Sequence, residues 1–323
     1  MTPIIDIVTG GTRGLIRDAH IVSDILRSSY RININISRQR NLHLLHKRLF
    51  KTLENTVTQS HRVLLFFENI PSRWMNLSKT SILIPNQEWM RDEVISNLPN
   101  CKEIWCKTRY AEDLFRKRKF QTRYIGFTSV DIYTSTVKKD YNKFIHVAGR
   151  SHLKGTLSIL ELWQVHKEWP TLLLISGNEE WKETYPLPNV IFLPNSLSDN
   201  EIKIAMNSYG IHLCPSETEG FGHYISEALS CKSIVISVNA PPMNEIVTNE
   251  FGLLAKVNKN EPMGFGERFF VDKCDLELQI QKAIDMDPSE KLLRGESARK
   301  WYEVQQRSFH LRLNEAIETL LRG

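Results

Sequence analysis

The chain has 323 residues, 41% hydrophobic and 24% charged, a composition that fits a soluble globular protein long enough for two buried cores. Its net charge is only +5, and it carries no zinc-finger, RNP or helix-turn-helix signature, so nucleic acid is not an expected partner. Five cysteines without Cys-x-x-Cys spacing exclude a disulfide framework and a zinc cluster; with no leader-like amino terminus and no run near the ~20 apolar residues of a membrane span, a cytoplasmic protein is expected.

In chain order, Ile4–Val8 reads as an apolar strand and Thr9-Gly-Gly-Thr-Arg-Gly14 as a glycine-rich turn before an amphipathic helix through Leu15, Ala19, Val22, Ile25 and Leu26, a Rossmann-like opening. The turn resembles the first loop of short-chain dehydrogenases but departs from it at Ile16. The chain also lacks the Tyr-x-x-x-Lys pair of those enzymes. The second strand, Arg31–Ile36, is followed by Ser37 instead of the acidic residue that would hold an NAD ribose, so an NAD(P)-dependent oxidoreductase is the weakest alternative. Arg38, Arg40, Lys47, Arg48 and Lys51 alternate with Leu42, Leu45, Leu49 and Leu53 as the polar face of an amphipathic helix. That face is either solvated or suited to an anionic membrane surface, which would make the protein peripheral.

Strands at Arg62–Glu68, Ser81–Pro85, Glu103–Cys106 and Gln121–Phe127 alternate with helical stretches such as Tyr110–Lys119, which implies a parallel sheet covered by helices. Glu68, Asn69, Asn86, Glu88 and Trp89 fall at or beyond strand ends, where open α/β sheets bind ligands. Thr128–Asn142, polar and aperiodic, is the expected linker, dividing the chain into domains over 1–135 and 141–323. A second α/β unit starts at Lys143–Ala148. It continues with a helix over Thr156–Trp169, strands at Thr171–Ser176 and Val190–Leu193, a capping box at Ser198–Glu201, and a long helical repeat from Ala298 to Leu321.

The most informative stretch is Cys214–Glu245. An apolar strand, Ile211–Cys214, runs into Glu219-Gly-Phe-Gly222 and then a helix over Tyr224–Leu229, so unpaired N–H groups and the positive end of a helix dipole face one point, a setting that suits phosphate. Glu219 and Glu227, eight positions apart, can stand about 10 Å from each other. That is wider than the roughly 5 Å of a retaining glycosidase pair, and it suits an elongated ligand. His223 inside this stretch reads as a packed or solvated residue, and Asp285 and Asp287 as helix punctuation, not a metal pair.

Glu219, seven residues, then Glu227, with Gly220-Phe221-Gly222 between them and the strand Ser233–Ser237 after, resembles the donor-site motif of family 4 glycosyltransferases. Val147-Ala-Gly-Arg150 with Lys154-Gly155 resembles the same family's arginine and lysine pair, with three residues between the two cations where the family usually has about four. Asn244–Val247 and Phe251–Ala255 resemble its next loop and strand. The resemblance implies an α/β fold of two Rossmann-like domains facing a cleft (GT-B type), with the last helix returning to the first domain.

The same resemblance implies a sugar moved from a UDP- or GDP-linked donor, used as co-substrate without a metal or other cofactor, to an acceptor hydroxyl with retention of configuration. By analogy Arg150 and Lys154 meet the diphosphate, and Glu219, Gly220, Phe221 and Gly222 meet the transferred sugar or phosphate. Glu227 meets the ribose, Asn195 to Leu197 the base, and Gly10 and Gly11 approach the diphosphate. Catalysis is assigned to Glu219, Arg150 and Lys154. Glu68, Asn69, Asn86, Glu88 and Trp89 are candidate contacts to a glycan, lipid-linked or small-molecule acceptor. A sugar-nucleotide epimerase or hydrolase, or a noncatalytic carbohydrate-binding scaffold, stays open.

Overall fold

The computed structural model describes residues 3–36, 62–78 and 80–322. The basic cluster from Arg38 to Lys51, with its expected amphipathic helix, lies outside the described residues. Two compact units are present. The first holds the described residues up to Phe127 together with Met263–Gly266 and those from Arg307 onward; the second holds Thr128–Pro262 and Glu267–Gln306.

In the first unit, β1 (Ile4–Thr9), β2 (Arg31–Ile36), β3 (Arg62–Phe67), β4 (Thr80–Ile84), β5 (Glu103–Cys106) and β6 (Thr122–Tyr124) form a sheet in the order β2-β1-β3-β4-β5-β6, every adjacent pair parallel. All six residues of β3 are buried, as a central parallel strand covered on both faces requires. On one face Val8, Leu64, Phe66, Leu83, Ile104 and Cys106 meet Val94, Ala111 and Phe115, with Phe265 packed against the cluster. Phe127 lies 4.8 Å from Phe309, and the Arg312 guanidinium donates to the Ile125 carbonyl at 2.8 Å, which fixes the last turns of helix Pro288–Arg322 within this unit.

The second unit repeats the plan with β7 (Asp140–Gly149), β8 (Leu172–Ser176), β9 (Val190–Pro194), β10 (Tyr209–Cys214), β11 (Ile234–Val238) and β12 (Leu253–Ala255), ordered β12-β11-β10-β7-β8-β9 and again all parallel. The capping box at Ser198 and Glu201 is present in full. A hairpin, β13 (Val257–Met263) and β14 (Gly266–Val271), is an element that the sequence reading did not identify. Its signal was the turn at Gly264, whose φ of +58° suits glycine, before the apolar run Phe269–Val271.

Three expectations need correction. The helix expected over Thr156–Trp169 ends at Val165. His166 leaves helical geometry with ψ near 75°, its carbonyl accepts from Asn189, and its ring stacks on Trp169 at 4.2 Å. The stretch 128–134 is no free tether: Thr128 and Ser129 are buried, Ser129 bonds Ser226, the Tyr302 hydroxyl donates to the Ser129 carbonyl, and Asn207 holds both Ile132 and Thr134. Asn244–Val247, read as a loop, is mostly a short helix, Met243–Ile246.

Helix Arg109–Lys117 closes through Lys119 at φ +65°, with Lys119 N–H bonded to the Arg116 carbonyl, Phe120 N–H to that of Phe115, and the two phenyl rings 6.3 Å apart. This is the Schellman arrangement, in which glycine is favoured because a Cβ costs about 1 kcal/mol or more in the left-handed region. Lys119 is exposed, so Lys119→Gly is expected to stabilise the protein by about 1 kcal/mol, measured as a raised urea midpoint at unchanged m-value. A lowered midpoint would show that the lysine side chain contributes more than its backbone costs.

Candidate functional site

The strand order of the second unit reverses between β7 and β10, and the loops leaving the carboxyl ends of those two strands carry the motif residues. In an open parallel sheet this reversal splays consecutive connections to opposite faces and leaves a crevice above the strand ends. From β7 the chain turns at Gly149, φ +60°, to Arg150, which is exposed and has no ion-pair partner among the described residues. Arg150 Cγ and Asn195 Cβ, following β7 and β9, both lie within 3.4 Å of the point where a Cβ on Gly177, after β8, would stand. Arg150 and Asn195 thus border one glycine gap. Leu197 is half-buried two residues farther on.

Lys154 ends the loop from β7, and Glu219 sits in the loop from β10. Their side chains form an ion pair, 18% and 12% exposed, which places Lys154 against the motif loop. Ser216 Oγ donates to Glu219 at 2.6 Å and lies 2.5 Å from the Tyr224 hydroxyl. A hydroxyl has one proton, so Tyr224 donates to Ser216 and Ser216 to Glu219. Burial holds the Tyr224 phenol well above its ordinary pKa, which keeps it a donor, and the Lys154 ammonium rests 4.1 Å from the ring centroid.

Two backbone devices bring the loops together. Gly155, φ +66°, precedes helix Thr156–Val165, and a Cβ there would fall 2.3 Å from the Pro215 carbonyl oxygen. Glu217 N–H closes the contact on the Leu153 carbonyl at 2.9 Å. Beneath them lies His146, fully buried on β7 and unnoticed in the sequence. Its Nδ1 stands 2.7 Å from the Leu213 carbonyl and its Nε2 2.9 Å from Thr156 Oγ1. A carbonyl can only accept, so Nδ1 carries the proton and Nε2 accepts from Thr156. Desolvation lowers its pKa to about 4, which keeps this neutral form at ordinary pH.

After Glu219 the chain passes buried Gly220 and Phe221 to Gly222, φ +92°, which opens helix His223–Ser230. The first N–H groups of such a helix point outward past the turn. Glu227 on this helix is 7% exposed, so it is not a solvated surface residue. His223 makes an edge contact with Phe221, centroids 5.7 Å apart. The helix ends in a second Schellman arrangement, with Lys232 at φ +62°.

In the first unit Gly10, buried, and Gly11, exposed, follow β1, and a Cβ on Gly10 would lie 3.6 Å from Asn69 Nδ2. Glu68, φ +63°, follows β3; Asn86, after β4, donates to it at 2.9 Å; and Lys107, after β5, bonds both Asn86 and buried Asp18. Burial raises the Glu68 pKa. Lys107 and Asp18 are polar residues of this cluster that sequence reading missed. Of the remaining candidates, Glu88 is buried, with its carbonyl against Gly264, and Trp89 is exposed. Among the described residues no group of three or more His, Cys, Asp or Glu side chains is placed to hold a metal, and no helix is long and apolar enough to cross a membrane.

Gly155→Ala is expected to lose about 2 kcal/mol or more, from left-handed strain plus the clash with Pro215, read from the denaturant transition of the second unit. His146 binds a proton in the unfolded chain near pH 6.5 but in the folded one only near pH 4. Stability therefore falls as pH drops through that window and is unaffected by this group above it. A midpoint that stays flat from pH 7 to pH 4 would contradict the buried neutral imidazole.

Residues 131–264 match the family model of the group 1 glycosyl transferases. An uncharacterized glycosyltransferase of Haemophilus influenzae is 26% identical over 136 residues, which are 39% of this chain and 38% of that protein. Sucrose-phosphate synthase of Thermosynechococcus elongatus superposes with a TM-score of 0.72 at 14% identity, covering 99% of each chain. A glycosyltransferase of Rickettsia africae gives 0.68 at 15% identity, covering 99% of this chain and 98% of that one. HepE of Anabaena, solved with UDP and glucose, gives 0.67 at 12%, covering 99% and 100%. The chain thus has the two-sheet α/β fold of GT-B glycosyltransferases, with the match to the group 1 glycosyl transferase family confined to residues 131–264.

Proposed function

We propose that the protein transfers a glycosyl unit from a nucleoside-diphosphate sugar, UDP-linked or GDP-linked, to the hydroxyl of a glycan, lipid-linked or small-molecule acceptor, with retention of anomeric configuration and without a metal. The observation that carries this reading is the Lys154–Glu219 pair at the switch point of the second unit, with Tyr224 and Ser216 behind it and a helix N-terminus beside it. The pair offers a cation for a diphosphate oxygen next to a carboxylate for sugar hydroxyls. The presence of UDP and glucose in HepE, on the same fold, favours UDP among the bases.

The roles follow from charge and reach. Arg150, exposed and without a carboxylate partner among the described residues, adds positive charge where a diphosphate leaves, and the helix N–H groups after Gly222 add more. Glu219, held by Ser216 and Lys154, orients the sugar, and Glu227 binds the ribose hydroxyls. Asn195, beside Arg150 at Gly177, borders the base. Glu68, Asn69 and Asn86 hold the acceptor. The chemistry consists of positioning and of stabilising the leaving group, with no covalent enzyme intermediate.

Glu227→Ala is expected to weaken UDP binding about tenfold in calorimetry, the loss of one charge-assisted contact. Glu219→Gln should lower kcat about 100-fold while leaving UDP affinity within a few-fold. Thermal shifts against UDP-, GDP- and ADP-sugars, with NAD as control, name the donor. Donor consumed without acceptor would favour an epimerase or hydrolase, and an inverted anomer in the product's proton NMR would overturn retention.

A further inference from the structure

The β13–β14 hairpin and helix Thr156–Val165 enclose a cavity of about 310 Å³ on the second unit, lined by Ser158, Glu161, Glu217, Asn258, Phe270 and Lys273 among others. Arg150, Lys154, Glu219 and Glu227 do not line it, whereas Gly155 and Glu217, on the same two loops, do, so the cavity adjoins the site described above without including its charged motif residues. Its volume falls at the lower end of the roughly 300–1,000 Å³ of small-molecule pockets, enough for one pyranose unit.

The charge balance of the lining selects the ligand. Lys273 is paired with Glu161 at 2.8 Å, Glu217 with Arg268 at 2.5 Å, and Lys259 at the rim with Glu261 at 2.5 Å. Each carboxylate and ammonium already has its opposite. The balanced lining gives a charged ligand no net attraction. A neutral polyhydroxyl ligand can use both signs: its hydroxyls donate to the remaining lone pairs of Glu161 and Glu217 and accept from Lys273 and the Asn258 amide. Phe270 supplies the apolar wall. Two cations lie over that ring, the Arg268 guanidinium at 4.5 Å and the Lys259 ammonium at 5.2 Å from its centroid, and the C–H groups of a sugar would meet the ring beside them.

We infer that this cavity is a second saccharide site, taking one neutral pyranose unit outside the donor pocket. The inference does not depend on the transferase chemistry. The Glu217 wall is held in place independently of a ligand: the Phe269 N–H donates to the Glu217 carbonyl at 2.6 Å, and Glu217 N–H to that of Leu153 at 2.9 Å.

The test is saturation-transfer NMR on the full chain with saturating UDP present, using methyl α-glucoside, methyl β-galactoside and N-acetylglucosamine, with glucuronate and inorganic phosphate as charged controls. One neutral sugar is expected to bind with a Kd on the order of millimolar, as a ligand this small allows. Asn258→Ala, at an exposed hairpin position, and Phe270→Ala should each weaken it at least tenfold with UDP affinity unchanged. Three results would overturn the inference: no neutral sugar binds, the charged controls bind in its place, or binding survives both variants and is lost in Glu227→Ala.

Discussion

Two loops leave neighbouring parallel strands at the point where the strand order reverses, and the structure around the site depends on how closely their backbones meet. Gly155 and the Pro215 carbonyl approach so nearly that no side chain fits between them. The contact sets the spacing from which Lys154 reaches Glu219, since each of those residues stands within four positions of it. Below the contact, one imidazole joins the carbonyl at the end of β10 to the hydroxyl that begins helix Thr156–Val165. Sterics above and a buried hydrogen-bond bridge below hold the two loops as one piece.

Electrostatics then builds on that frame. A lysine and a glutamate that are only slightly exposed would each be costly alone, and the pairing offsets the cost of burying both. Neither group can leave without stranding the other, so the pair persists before any ligand arrives. A site whose charges are already oriented reorganises little as charge develops on a leaving group, which is where preorganised dipoles have their largest effect. The proton chain from Tyr224 through Ser216 adds direction, because each donor has a single proton and a single acceptor.

What could be read from the sequence was what is local in it. The strands and most helices announced themselves through apolar runs, and the motif residues through short spacings: Arg150 to Lys154, and Glu219 through Gly222 to Glu227. Contacts between distant positions left no such trace. Lys107 and Asp18 are 89 residues apart and Arg268 and Glu217 are 51 apart, so neither pair shows in any window. His146 resembles one more residue in an apolar strand until its two ring nitrogens are seen to join different elements. The hairpin was missed because its first strand, Val257–Met263, is mostly exposed and polar, without the alternation that burial of one face imposes.

The two lysines in left-handed geometry show why backbone cost alone does not decide a residue. Lys119 and Lys232 end their helices with the same hydrogen-bond pattern, and glycine would relieve both. Lys119 is exposed, whereas the Lys232 ammonium pairs with Glu296 at 2.8 Å and lies over the Tyr133 ring at 5.1 Å. Its carbonyl also accepts from the Tyr141 hydroxyl, which sits where a Cβ on Gly295 would stand. Helix His223–Ser230, which carries Glu227, is thereby tied at its carboxyl end to helix Pro288–Arg322. A glycine at 232 would remove the backbone strain and, with it, the side chain that reaches the neighbouring helix.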